Sequence, residues 1–361
     1  MSSTVKPTAP VESSVTADAA VAQLTHGIAR SNLLRTIGWI VGVAILLLIC
    51  LLSLSVGAKS IPFGTVWDAL FAFDGSQDHL VVRDMRLPRT ALGLVAGAAL
   101  GVAGALIQAL TRNPLADPGI LGVNAGAAFM VALAVGTFGI TGLRGYIWFA
   151  FAGAILATLI VYAIGSWGRG GGTPVRLTLA GVAIAAVLGG VTQGLVLLDP
   201  VAFDAMRTWN AGSIAGRDDA VVWAILPFIV AGLIAALAVA RPLNAVALGD
   251  DLARSLGADV GRVRTVGVIA VTLLCGAATA GAGPIGFVGL MVPHIARWIV
   301  GPDQRWIFAY TMIGAPMMVL VADVLGRLIV RPDEMQVGIV TALVGAPVLI
   351  LLVRRKKASG L

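Results

Sequence analysis

Ten apolar runs, near residues 36–56, 90–110, 119–138, 146–167, 175–197, 220–240, 264–282, 286–300, 306–326 and 337–353, divide this chain. About 20 apolar residues are needed to cross the hydrocarbon of a bilayer as a helix, and inside lipid every backbone N–H and C=O must be satisfied by the chain itself. The runs therefore read as membrane helices, and the chain as an all-α polytopic membrane protein with ten transmembrane helices. Composition agrees: 58% of the 361 residues are hydrophobic and 12% charged, against about 45–50% and 25% in soluble domains. The run at 286–300 is short for a crossing, which implies a half-length or tilted helix. Residues 1–35 are polar, without a helical stripe, and read as a disordered tail on the cytoplasmic side; residues 36–357 form the membrane domain. The first run begins behind this tail and has span length, unlike a cleavable signal.

Ten crossings place both termini on one side of the membrane. With the N-terminus inside, 16 of the 25 Lys and Arg fall in inner segments, so both termini read as cytoplasmic. The net charge of +7 is scattered over loops rather than gathered in a stripe, so it does not suggest nucleic acid. Cys50 and Cys275 each lie inside an apolar run and read as small core residues. Glycines four apart, as in Gly93, Gly97, Gly101 and the run around Gly281, Gly283, Gly286 and Gly289, allow close helix approach.

One inner segment stands out. Residues 241–264 carry four arginines and three aspartates between two long apolar runs. A central charge in hydrocarbon costs roughly 2.5–3.5 kcal/mol, so this segment lies in water. Within it Leu248, Leu252, Ala253 and Leu256 recur at helical spacing and Gly257 and Gly261 stop the pattern, which describes two short helices joined at a glycine. Two readings are open: a solvated loop, or an apolar stripe on which another protein bears.

The spans hold few ionisable groups. Asp323, near the outer end of the ninth run, reads as a locally satisfied polar group, and His294, after Pro293, as a residue that serves freed backbone. Proton or sodium coupling is disfavoured, and no catalytic set or metal-ligand set is visible. A phosphate-binding loop is also missing: Gly57-Ala58-Lys59-Ser60 lacks the glycine before lysine. If the chain is a pump, another chain is the motor.

Three motifs carry a family resemblance. Arg86-Leu87-Pro88-Arg89-Thr90 with Gly104 to Val123, which includes Asn113-Pro114-Leu115-Ala116-Asp117-Pro118, is the first. The second is Gly283-Pro284-Ile285-Gly286-Phe287-Val288-Gly289-Leu290-Met291-Val292-Pro293-His294, and the third Leu248-Gly249-Asp250-Asp251-Leu252-Ala253-Arg254-Ser255-Leu256-Gly257. Together they resemble the FecCD-type permeases of ATP-driven importers for iron-siderophores, haem and vitamin B12. Residues 111–128, 174–182 and 345–350 look most like the permease subunits of ferric-enterobactin importers.

The resemblance implies the type II ABC importer permease fold and a bacterial inner-membrane location. The implied partners are a second permease, a paralogue rather than a copy, two ATP-binding subunits and an extracytoplasmic binding protein. The resemblance further implies no cofactor on this chain, with ATP and Mg held by the ATPase. Leu248 to Gly261 match the coupling helices that seat in the ATPase, with Arg254 a polar contact. Arg86, Arg89 and Arg327 match a pocket that receives acidic residues of the binding protein, while position alone equally allows Arg86 and Arg89 to anchor the outer end of the second helix. Pro114, Pro118, Pro284 and Pro293 are expected to break helices where runs two and three, and seven and eight, meet. The segment 203–212 is a candidate re-entrant helix.

Overall fold

The computed structural model describes residues 28–29, 31–57, 59–167, 174–330 and 333–358; of the tail expected at 1–35, only 28–29 and 31–35 fall among them, and the first helix already begins at Asn32. The described chain is helical: α1 Asn32–Ser55, α2 Phe63–Phe71, α3 Gln77–Thr111, α4 Val123–Gly136, α5 Leu143–Ser166, α6 Pro174–Leu198 and α7 Pro200–Asn210. There follow α8 Asp219–Ala247, α9 Asp250–Ser255, α10 Val260–Ala282, α11 Val288–Val300, α12 Gln304–Ile329 and α13 Val337–Ala358. Seven of these are long and apolar enough to cross a membrane, while α4, α11 and the apolar part of α13 are shorter.

Short polar side chains start the helices. Ser31, Asp199, Asp218, Asp259 and Asp303 each accept a backbone N–H of the first turn of α1, α7, α8, α10 and α12, satisfying donors that the helix itself leaves unpaired. Helix α3 ends at Arg112, which takes left-handed backbone at φ 52°.

Helices α3 and α10 form the centre, with 78% of the residues in their most apolar windows buried, whereas only 11% are buried in α1. The contrast follows from residue size. A methyl group added at Gly104 of α3 would strike the backbone of Gly289 in α11, and Gly126 of α4 and Gly153 of α5 meet carbonyl to Cα in the same way. Only glycine permits such backbone contact, which lipid-embedded helices use in place of hydrophobic exclusion from water.

Several expectations change. The run at 119–138 is not one helix: Asp117 caps a 3₁₀ turn, Pro118–Leu121, and Gly122 at φ 76° redirects the chain into the 14-residue α4. Residues 241–264 are not a free loop with two short helices, because α8 runs through Pro242 to Ala247 and α10 already begins at Val260. Between them lies one six-residue helix, α9. Pro293 stands inside α11 rather than at a break, whereas Pro114 lies in a turn, Pro118 opens the 3₁₀ turn and Pro284 lies between α10 and α11. The segment near 203–212 is helical, as α7. Helix α2, which the apolar runs did not disclose, buries Val66 and Ala69 against Leu54, Ile61 and Val82.

Candidate functional site

The bundle has two polar ends. At one, α1 finishes at Ser55 with carbonyls its own helix leaves unpaired, and two arginines from other helices meet them. Arg86 Nη1 donates to Leu54 O and Ser55 O, both at 2.7 Å, and its Nη2 to Lys59 O at 2.5 Å. Arg327 Nη1 donates to Ser53 O at 2.9 Å and Val56 O at 2.6 Å. The helix turn preceding Arg86 widens to π spacing over Val81–Arg86, a distortion often found where a helix carries a functional side chain.

Asp323 ties the group together. It pairs with Arg89 and with Arg327, each at 2.7 Å, and Arg89 also reaches Glu334 at 2.6 Å. Exposure is 7% for Arg86, 9% for Arg89, 2% for Arg327 and 1% for Asp323. The structure brings the three arginines named from the resemblance to one cleft, where they are buried and engaged rather than presented bare to solvent. Asp323, expected to be satisfied locally, is satisfied both by Arg327 one turn on and by Arg89 from α3.

Beside this network lies a cleft of about 410 Å³, bordered by the three arginines and by Lys59, Asp84, Arg217 and Glu334. Lys59 is paired with Asp78 at 2.6 Å. Arg217, in the turn before α8, was not singled out by the sequence, since nothing in its neighbourhood of Gly216 and Asp218 distinguishes it from an ordinary loop arginine.

At the opposite end, α9 sits between two glycines that both need positive φ, Gly249 at 121° and Gly257 at 83°, conformations costly for residues with a Cβ. Ala253 faces inward and is fully buried, while Leu248, Leu252 and Leu256 are 65%, 48% and 64% exposed. One face is thus anchored and the other is an apolar stripe without cover. Asp250 fixes the anchor: it pairs with Arg112 at the end of α3 and with Arg264 of α10, the latter at 2.8 Å, and Arg112 Nε donates to Val246 O at 2.8 Å. Burial opposes the charge on Asp250, but the two guanidiniums prevail and hold its carboxyl below the usual carboxylate range. Among the described residues the Arg254 side chain bonds only within the helix, to Asp251 at 3.0 Å.

Deeper at this end, Gln108 Nε2 donates to Leu290 O at 3.0 Å, and its Oε1 accepts from Arg297 at 3.1 Å. The Leu290 carbonyl lies three residues before Pro293, and Gln108 ties this part of α11 to α3. The sequence offered no sign of this role, because the two residues are 182 positions apart.

A bundle of this kind, with a span broken by glycine and proline, ion-pair clusters at both of its ends and an uncovered apolar helix at one of them, is that of a multi-pass membrane permease. Residues 45–355 match the FecCD transport family. The ferric enterobactin transport system permease protein FepD of Escherichia coli (strain K12) is 51% identical over 321 residues, covering 88% of this chain and 96% of that one. The hemin transport system permease protein HmuU of Yersinia pestis is 35% identical over 318 residues, 87% of this chain and 94% of its own. Among solved structures, a metal-chelate type ABC transporter in an inward-facing conformation superposes with a TM-score of 0.78 at 24% identity, over 88% of this chain and 98% of that chain. The chain belongs to the FecCD transport family. Its curated relatives are transport subunits, not enzymes.

Proposed function

We propose that this chain is the permease subunit of an ATP-driven importer that carries a ferric siderophore of the enterobactin type across the bacterial inner membrane. The observation that carries the coupling half of this reading is the leucine stripe of α9: an apolar surface held rigidly by Asp250 yet left uncovered is a seat for another protein. Similarity to the ferric enterobactin permease over nearly the whole of both chains supports the cargo.

In this reading the seven long helices and the three shorter ones make ten crossings, with α9 and both termini cytoplasmic. A second permease, a paralogue, completes the pathway. Two copies of an ATP-binding subunit seat on the α9 stripes, and an extracytoplasmic binding protein delivers cargo at the end where Arg86, Arg89 and Arg327 meet. ATP with Mg closes the ATPase pair. The rigid link from α9 through Asp250 to α3 and α10 passes that motion to the two central helices, which rock the pathway from one side open to the other.

Co-expression with the neighbouring permease, ATPase and binding-protein genes, followed by ATP hydrolysis in nanodiscs with ferric catecholate, ferric hydroxamate, haem and cobalamin, tests it. Stimulation by the ferric catecholate alone is expected. Stimulation by haem or cobalamin instead overturns the cargo, and uptake by this chain alone without ATP overturns the mechanism.

A further inference from the structure

Helix α2 has three sides, of which the described residues cover one. Val66 and Ala69 pack on Leu54 of α1, on Ile61 and on Val82. At about 100° per residue, Phe63, Trp67 and Phe71, spaced four apart, fall together on one flank of that packed face, and all three are exposed. Thr65 and Asp68 fall on the other flank. The rings of Trp67 and Phe71 lie 4.5 Å apart, joining their surfaces into one ridge. The helix is thus aromatic on one flank, polar on the other and bound to the protein between them.

The depth of α2 in the membrane follows from α1. The 24 residues of α1, at 1.5 Å each, span about 36 Å against about 30 Å of hydrocarbon, so its last turn emerges at the level of the headgroups. Helix α2 leans on that turn through Leu54, and Ser55 Oγ donates to Ile61 O at 2.6 Å, which draws the connecting segment back to the same level. Because α1 is the least buried of the seven long spans, α2 hangs at the rim of the bundle rather than over its centre.

Arg83, near the start of α3, fastens the far end. Its Nε donates to Ala69 O at 2.6 Å and its Nη2 to Leu70 O at 2.9 Å, taking carbonyls that the end of α2 leaves unpaired, while its guanidinium carbon lies 4.5 Å from the centre of the Phe73 ring. A nine-residue helix does not hold by itself in water. Packing and Arg83 hold this one, and the aromatic flank takes no part in either.

We infer that α2 is an interfacial anchor whose Phe63, Trp67 and Phe71 seat in the leaflet at the arginine-bearing end of the bundle, between headgroups and acyl chains. The partner is the lipid surface. A helix lying at this level turns one flank to lipid and the other to water. Turning the Asp68 flank to lipid would put a carboxylate among acyl chains and leave three aromatic rings in water, so the aromatic flank is the one that enters. Its rings suit that depth, where an apolar body meets lipid chains and the indole N–H of Trp67 meets headgroups or water. This anchoring is independent of cargo and of the ATPase. Through Arg83 it ties the position of α3, a central helix, to the surface of the bilayer.

Spin-label accessibility in the complete importer in nanodiscs tests it. Phe63→Cys, Trp67→Cys and Asp68→Cys are each labelled with a nitroxide in a Cys50→Ser background, Cys275 being buried. Power saturation then compares oxygen, which concentrates in lipid, with a water-soluble nickel chelate. The oxygen-to-nickel accessibility ratio is expected to be severalfold higher at Phe63→Cys and Trp67→Cys than at Asp68→Cys, and unchanged when the binding protein is added. Should Phe63→Cys or Trp67→Cys prevent assembly, Phe71→Cys samples the same flank. Equal ratios, with nickel reaching every label, would place the ridge in water and overturn the anchor. Labels on the aromatic flank that neither reagent reaches would mean that the second permease covers it, and nickel access lost only on adding the binding protein would give the ridge to that protein; either result overturns the anchor and leaves the proposed import function standing.

Discussion

Asp323 is the residue on which the outer end of the bundle depends. It is enclosed by two guanidiniums, and the penalty of burying all three charges is offset only while the set is complete. Asp323→Ala leaves Arg89 and Arg327 buried without their common acid and is expected to cost about 3–5 kcal/mol, read as a lower midpoint in detergent unfolding titrations. Glu334→Gln, at a partly exposed pair, is expected to cost less than about 1 kcal/mol in the same titration. These charges were visible in the sequence only as charges near helix ends. What Arg327 does is decided by Ser53, 274 positions away, and by the carbonyls of α1; no local pattern tells an arginine that caps a distant helix from one that faces water. For the same reason Arg217, which faces the cleft, was indistinguishable from its loop neighbours.

At the scale of the element, α9 and the contact of α3 with α11 make separate claims. Leu252→Asp or Leu256→Asp places a charge in the uncovered stripe and is expected to abolish co-purification of the ATPase while the permease pair stays assembled; normal stoichiometry would sink the coupling role. The Asp250 clamp has a pH dependence of known sign. Its folded-state carboxyl is held low, so the contribution is fully present above the ordinary carboxylate value near about 4 and is lost as pH falls through the lowered folded value. Hydrogen exchange in residues 248–258 is therefore expected to be equally protected at pH 7 and about pH 5, whereas Asp250→Asn raises exchange at both. In the bundle interior, Gly104→Ala drives a methyl into the Gly289 backbone and is expected to cost about 1–3 kcal/mol, as overpacking does, in the titration used for Asp323. The leucine stripe and the long spans were legible because they rest on helical period and on length. Helix α2 was not, since nine residues with one packed face leave too short a pattern. The extension of α8 to Ala247 was hidden by Arg241, Pro242 and Asn244, which read as a loop although the helix simply continues out of the membrane.

For the whole molecule the open quantity is the number of crossings, and parity decides it. Seven crossings would put the two termini on opposite sides of the membrane, and ten would put them on the same side. The contacts favour ten. Ala29, just before α1, donates its N–H to Ile299 O at the end of α11, and Asn244, near the end of α8, bonds Asp303 at the start of α12, so α1 begins at the end of the bundle that carries α9. Gly338, opening α13, donates to Gly212 at the end that carries the arginines. From there the 22 residues of α13, at 1.5 Å each, are long enough to return to the first end. The proposed cytoplasmic side is that end, which the excess of Lys and Arg in its segments favours. Alkaline phosphatase fused after residue 358 is therefore expected to be inactive, and a fluorescent protein fused there to fluoresce. A cysteine placed at Lys59 is expected to react with a membrane-impermeant maleimide in intact spheroplasts, and one placed at Arg254 only after lysis. An active phosphatase at the C-terminus, with the label still reaching position 59, would mean that one of the three shorter helices turns back within the membrane, and the pathway would then have an odd number of crossings in each permease.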